Sequence, residues 1–282
     1  MAKKTSFKSA EIVSTAEGRQ YHIGLAPGEV ASNIILCGDP NRAHVVAKHF
    51  EEKGEPVCSR EYVTITGKYK GIPISVMATG IGSDNMEIAV VELCQIVENP
   101  TMIRLGTSSS LQTDIAIGDF IIASGGVRLE NVSSAYVVDG YPAVTDYEVM
   151  LGILEAAKLK KVNYHVGLTG SAPGFYASQG RDVPGFPPYR GEVDLVIAKM
   201  NVKNLEMEIS CLYTLANVKG FRAGGICFAV GNRQHNTFMD KEEILETQES
   251  LVKIGLDAFT FIAKIDAAKG SARYWTPSMG LK

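Results

Sequence analysis

The sequence predicts an α/β protein of one domain, a three-layer α/β/α arrangement around a twisted central sheet that is mixed but largely parallel. Three observations carry this expectation. Short apolar runs alternate with stretches of helical spacing, three of those runs end in glycine, and no repeat, low-complexity tract or linker divides the 282 residues. Strand followed by helix, repeated, requires a sheet covered on both faces. A chain of this length buries a large core, and 45% hydrophobic residues is the composition of one.

The elements follow in order. Residues 33–37, Asn-Ile-Ile-Leu-Cys, read as a strand closed by Gly38-Asp39-Pro40, and residues 42–50 then carry helical spacing. A second strand, 74–79, runs into Gly80-Ile81-Gly82 and a helix over 85–97. The third strand begins at Thr101 and contains Arg104. Further apolar runs lie at 120–123, 164–169 and 223–230, with amphipathic helices at 146–159, 208–218 and 241–264. Residues 180–192 hold Pro184, Pro187 and Pro188 among glycines, so an irregular flap is expected there. The core spans residues 20–265. Residues 1–19 and 268–282 are terminal extensions without periodicity, the second carrying Tyr274-Trp275 as a means of docking on the surface.

A net charge of -3 implies no basic face, so neither nucleic acid nor an anionic membrane is an expected partner. No stretch approaches the ~18 uncharged apolar residues of a membrane span, and the first residues lack the apolar core of a secretory leader. A cytoplasmic location is therefore expected. Cys37, Cys58, Cys94, Cys211 and Cys227 are scattered, without a C-x-x-C pair or a histidine at ligand spacing. Buried free thiols are expected, with no zinc and no disulfide.

The segment Thr101-Met102-Ile103-Arg104-Leu105-Gly106-Thr107-Ser108-Ser109-Ser110 reads as a buried strand opening into a loop, with one cation inside the apolar run. An unpaired guanidinium there is costly, so an anion must meet it. One partner is an internal carboxylate. Another is a phosphate, because backbone N–H groups near Gly106 and the hydroxyls of Thr107 and Ser108 beside a planar cation hold phosphate oxygens without a metal. Ligands of parallel sheets bind beyond the carboxyl ends of the strands, where Gly38-Asp39, Gly80-Ile81-Gly82 and Gly106-Thr107 fall. A dinucleotide reading of Gly80-Ile81-Gly82-Ser83-Asp84-Asn85 fails, since Asn85 replaces the third glycine and the next strand ends in Arg104-Leu105-Gly106 rather than an acid. In Glu206-Met207-Glu208, an extended backbone would put both carboxylates on one face, suited to a vicinal diol; the same pair also suits the first turn of a helix.

Seven motifs, Tyr21-His22-Ile23-Gly24-Leu25, Gly38-Asp39-Pro40-Asn41-Arg42, Ser59-Arg60-Glu61-Tyr62, Thr79-Gly80-Ile81-Gly82, Arg104-Leu105-Gly106-Thr107, the run from Gly174 to Arg181, and Leu205-Glu206-Met207-Glu208, stand in a telling order and spacing. Over residues 20–265 the chain resembles the uridine phosphorylase branch of the nucleoside phosphorylase superfamily. The resemblance implies phosphorolysis, in which a nucleoside and phosphate give ribose 1-phosphate and free base. It implies no organic cofactor, inorganic phosphate being a co-substrate. It assigns phosphate to Gly38, Arg42, Arg104, Gly106 and Thr107, with Arg60 reaching in from a neighbouring subunit. Ribose falls to Glu208 and Met207, supported by Glu206, with His22 of a neighbouring subunit toward the 5′-hydroxyl. The base falls to Phe175, Gln179 and Arg181: a stacking face, an amide with one donor and one acceptor side, and a guanidinium that only donates. That trio favours uracil. The implied assembly is a homo-oligomer, a hexamer built as a trimer of dimers with shared active sites.

The chain departs from the family at two places. Ser109 stands where the family's Gly-Thr-Thr-Gly or Gly-Thr-Ser-Gly ends in glycine, and Ser83-Asp84-Asn85 replaces Gly-Pro-Ser. Relatives hold a monovalent cation through a residue matching Glu61, but Asn85 replaces its partner serine, so no metal is expected. Three alternatives remain: a purine nucleoside phosphorylase of the same fold, a nucleosidase, and a non-catalytic nucleoside-binding protein. The first would place a carboxylic acid after Val230, where the chain reads Gly231-Asn232-Arg233. The second would not need Arg42, Arg60 and Arg104 together, and the third would not keep the phosphate and sugar residues. Replacing Arg104 by alanine is expected to stop turnover with little change in fold.

Overall fold

The computed structural model describes residues 7 and 9–281. Strand β1 (Asn33–Cys37) leads to α1 (Pro40–Ala47), which Asp39 caps by accepting the Asn41 N–H. The helix starts before Arg42 because proline's fixed φ suits a first turn, where its missing N–H costs nothing. Next come β2 (Val57–Ser59), β3 (Tyr62–Tyr69), β4 (Ile72–Ala78), α2 (Ser83–Ile96), β5 (Thr101–Ser110), β6 (Phe120–Arg128) and β7 (Ala143–Val144). The chain continues through α3 (Tyr147–Lys160), β8 (Tyr164–Ser171), α4 (Val193–Lys199), β9 (Asn204–Glu206), α5 (Ile209–Lys219), β10 (Arg222–Asn232), β11 (Thr237–Phe238) and α6 (Lys241–Lys269).

The strands run β11-β10-β6-β8-β9-β5-β1-β4-β3-β2, with β7 on β6. The long central pairings, β5 with β10 and β6 with β8, are parallel, as are both neighbours of β1. Antiparallel pairing is confined to the β2-β3-β4 edge and to short contacts. Because β10 pairs with both β5 and β6, the strands β5, β10, β6, β8 and β9 close into a ring. Irregularities at Ala229/Gly231 and Ala123/Gly125 bend the strands where the ring closes.

Alternation along β1 shows the three layers. Ile35 and Cys37 join α1, α3 and α6 through Val46, Ile153 and Phe259, whereas Ile34 and Leu36 join α2 and α5 through Met86, Leu93 and Leu212. The expected opening of β5 into a loop after Gly106 is corrected. The strand runs on to Ser110, since Thr107 and Ser108 pair with Phe228 and Ala229 of β10 while Ser109 pairs with Leu205 of β9. Partners on both edges outweigh the weak local preference of serine.

Residues 180–192 contain only an isolated Val183–Phe186 bridge, as their prolines require. The C-terminal segment docks through Trp275, whose N–H donates to Glu148 (3.0 Å) and whose carbonyl accepts the Tyr147 hydroxyl (2.9 Å). The five cysteines are free thiols; Cys37, Cys211 and Cys227 are buried, but Cys58 is exposed because it lies on the edge strand β2. No helix among the described residues is long and apolar enough to cross a membrane.

Gly126 of β6 lets the N-terminus of α5 approach the sheet: a Cβ there would lie 2.8 Å from both Cα and Cβ of Ser210. Gly126→Ala must push backbone apart, at about 1–3 kcal/mol. The thermal midpoint, followed by calorimetry, should fall by several degrees.

Candidate active site

A cavity of about 760 Å³ opens beyond the carboxyl ends of β1, β4 and β5. Gly38 follows β1, Gly80 and Ile81 follow β4, and Gly106 to Ser109 belong to the far end of β5. Glu206, Met207 and Glu208 enter from the link between β9 and α5, and Phe175 and Gln179 from the loop after β8. Arg42 reaches in from α1. The structure thus brings together ten of the sequence-predicted residues, Gly38, Arg42, Arg104, Gly106, Thr107, Phe175, Gln179, Glu206, Met207 and Glu208.

Arg104 lies at the centre and is only 5% exposed. Its Nη2 donates to the Glu208 carboxylate, and its Nε lies 3.4 Å from Glu206 Oε2. Burial works against the charge, but Glu208 and Glu206 more than offset it, so the pKa rises. Its Nε and Nη1 have no hydrogen-bond partner among the described residues. The guanidinium passes over Gly106, where a Cβ would stand 2.0 Å from Nη1. Only glycine leaves room for it.

The carboxylates are fixed in turn. Glu206 accepts the Ser171 hydroxyl and the backbone N–H groups of Glu208 (2.9 Å) and Ile209 (3.0 Å) at the start of α5. Burial pushes its carboxyl up to about 7, against the pull of Arg104, with Glu208 adding to the rise. Glu208 accepts the Gly82 N–H (2.6 Å), which ties the end of β9 to the start of α2. The stretch is therefore only half extended: strand β9 ends at Glu206 and Glu208 precedes the first residue of α5. The extended reading holds as far as Glu206, and the helix-start reading applies at Glu208.

Arg42 is the second buried cation. Its Nε donates to Gln248 of α6 (2.9 Å) and its Nη1 to the Leu105 carbonyl (3.1 Å). Burial lowers its pKa, and the neighbouring Arg104 charge adds to the fall. The pairing of Arg104 with Glu206 and Glu208 adds a stability cost to Arg104→Ala. Removing that cation strands two buried carboxylates, at about 3–5 kcal/mol.

Arg181, like His22 and Arg60, does not itself line the cavity, but its guanidinium stacks 3.9 Å from the ring centroid of Phe175, which does. Its Nη1 donates to the Phe175 carbonyl (2.5 Å) and to Gln179 Oε1 (2.6 Å), and its Nη2 to Ser109 Oγ (3.1 Å). Arg181 thereby orients the Gln179 amide, which is 2% exposed, and leaves its NH2 to donate. Burial, with Arg233 adding repulsion, brings the Arg181 pKa down to about 10. Arg233 itself pairs with Asp194 of α4 (2.8 Å). Asn232, at the place of the acid a purine enzyme would need, spends its side chain on the Gln112 and Ile115 carbonyls and the Gln234 and His235 N–H groups.

His22 and Arg60 do not line this cavity. His22 Nδ1 lies 2.6 Å from Glu92, which also accepts the backbone N–H groups of His22 and Ile23. Arg60, at φ 53°, stacks over Tyr21 (4.8 Å), and the Ser59 hydroxyl donates to the His22 carbonyl (2.6 Å). Sequence reasoning missed Gln248, Ser171 and the cavity-lining Phe238. No local pattern marks Gln248 or Ser171, because each meets a partner far away in the chain.

Residues 33–259 match the model of the phosphorylase superfamily. The chain is 43% identical to a uridine phosphorylase of Thermococcus kodakarensis, over 97% of this chain and 98% of that one. It is 32% identical to a uridine phosphorylase of Escherichia coli, over 84% and 96%. A guanosine phosphorylase of Halorubrum lacusprofundi is 32% identical over 86% and 98%.

Gly106→Ala should displace the Arg104 guanidinium, since its Nη1 cannot share space with a Cβ. Titration calorimetry with inorganic phosphate should show binding weakened by at least about tenfold, the loss expected for one charged hydrogen bond.

Proposed function

We propose that this chain, which belongs to the phosphorylase superfamily, catalyses the reversible phosphorolysis of uridine to uracil and ribose 1-phosphate, with deoxyuridine and thymidine as further candidate substrates. The observation that carries the reading is the Arg104 guanidinium, held by two carboxylates, Glu208 at Nη2 and Glu206 at Nε, yet keeping Nη1 without a hydrogen-bond partner beside Gly106. That arrangement joins an anion site to a hydroxyl-accepting site through one side chain. Phosphate is the anion, and the ribose diol is the hydroxyl pair.

Arg42 and Arg104 hold hydrogen phosphate against C1′ of the sugar, where a planar fork binds oxygens without acting as an acid toward the nucleophile. Glu208 takes the 2′- and 3′-hydroxyls, Met207 lies under the ring, and the carboxylate charge stabilises the oxocarbenium character that develops as the C1′–N1 bond breaks. The bond electrons pass to N1 of the base. A phosphate oxygen bonds C1′, and the proton of hydrogen phosphate ends on the released uracil. Gln179 and Arg181 donate to the base carbonyls as negative charge spreads over them, while Phe175 supplies a stacking face. Phosphate is consumed as a co-substrate, and no organic cofactor or metal takes part. The Asn232 environment, with no acid to protonate a purine ring, favours a pyrimidine over the guanosine named for one relative.

The same reading makes the protein cytoplasmic and hexameric, a trimer of dimers in which His22 and Arg60 complete a neighbour's site. Their absence from their own chain's cavity supports this.

Uracil release from uridine, followed by chromatography, should require phosphate or arsenate. Arg104→Lys keeps a charge between the carboxylates but loses the fork, and should lower kcat/KM by at least about a hundredfold. Equal cleavage in phosphate-free buffer would contradict phosphorolysis.

A second expectation tests sharing of sites. Arg60→Ala subunits and Arg104→Lys subunits, each nearly inactive alone, should regain part of the activity when unfolded together and reassembled, because some interfaces then combine one intact set. Full activity of a monomer in light scattering would refute the shared site.

A further inference from the structure

Ser109 is the one cavity residue that departs from the family pattern and also bonds another wall of the site. It sits on β5 opposite Leu205 of β9, between the anion end of the strand and the Phe175–Arg181 loop, and is almost fully buried. Its Oγ accepts from Arg181 Nη2 at 3.1 Å. That contact occupies an oxygen lone pair and leaves the hydroxyl proton free to be given away; among the described residues no acceptor takes it. A buried hydroxyl with a committed lone pair and an uncommitted proton is a directed donor.

We propose that Ser109 is a specificity-determining residue, whose hydroxyl donates to the exocyclic O4 of the pyrimidine, one of the base carbonyls that the proposed reaction gives to Gln179 and Arg181. The inference rests on the uridine reading of the site and goes beyond it in giving this serine a contact with substrate. Arg181 serves two ends in this arrangement: it polarises the Ser109 O–H by donating to its oxygen, and it bars an amino group at the same position, since two donors would then meet. Ser109 also shortens the reach required of Arg181, whose Nη1 is already spent on Phe175 and Gln179. A glycine at this position would leave O4 with the guanidinium alone.

The test compares uridine with 4-thiouridine, in which sulfur, a weak acceptor, replaces O4. Wild type, Ser109→Ala and Ser109→Thr are assayed at saturating phosphate, and the KM for phosphate is measured for each. Ser109→Ala should lose about tenfold in kcat/KM for uridine, the worth of one hydrogen bond to a buried polar group, and hardly change for 4-thiouridine. Ser109→Thr should keep the wild-type ratio, and the KM for phosphate should stay the same in all three. Equal losses on both nucleosides, or no loss on uridine, overturn the assignment of Ser109 while the proposed reaction stands. A wild type inert toward uridine in phosphate overturns the proposed reaction itself, and the Ser109 contact with it.

Discussion

A guanidinium buried inside a sheet is the constraint on which the site depends. Desolvating Arg104 is tolerable only because Glu206 and Glu208 stand beside it, and those carboxylates are tolerable only because Ser171, Gly82 and the first N–H groups of α5 hydrogen-bond them. The need to compensate one charge thus fixes where β9 ends, where α5 begins and how α2 is aimed. A buried network satisfied on this scale sets positions more sharply than it adds stability. Within it, Nη1 of Arg104 is left beside Gly106 without a hydrogen-bond partner.

Much of this was legible in the sequence, and for a physical reason. Strand β1, the lone cation in β5 and the glycines at three strand ends are local signals, each set by neighbours a few residues away. The same holds for Asp39 before Pro40. What was hidden depends on long separations. Gln248 meets Arg42 only after some 206 residues of chain have folded. Nothing local in the four hydroxyl residues after Gly106 announces that β10 and β9 will flank them and keep them extended. The β2–β3 hairpin at the edge and the short helix α4 lacked a strong periodic pattern, and the contact of β10 with both β5 and β6 belongs to no single segment.

The two halves of the cavity are built differently. The anion and sugar side uses strand ends and a helix start, with its charges buried and hydrogen-bonded. The base side rests on a loop whose order comes from one residue: Arg181 joins the Phe175 ring, the Gln179 amide and Ser109. A rigid array for the reacting atoms and a loop-borne array for recognition is a division in which chemistry and specificity can vary separately.

The closed ring of strands gives that division a mechanical form. Strand β9, which carries Glu206, is reached from β5 by two routes, a direct two-residue contact and the long way through β10, β6 and β8. Slackening one route leaves the other taut. The segment between β8 and β9, which carries Phe175, Gln179 and Arg181, stands outside that ring, so a change in its proline-rich stretch leaves both routes to Glu206 in place.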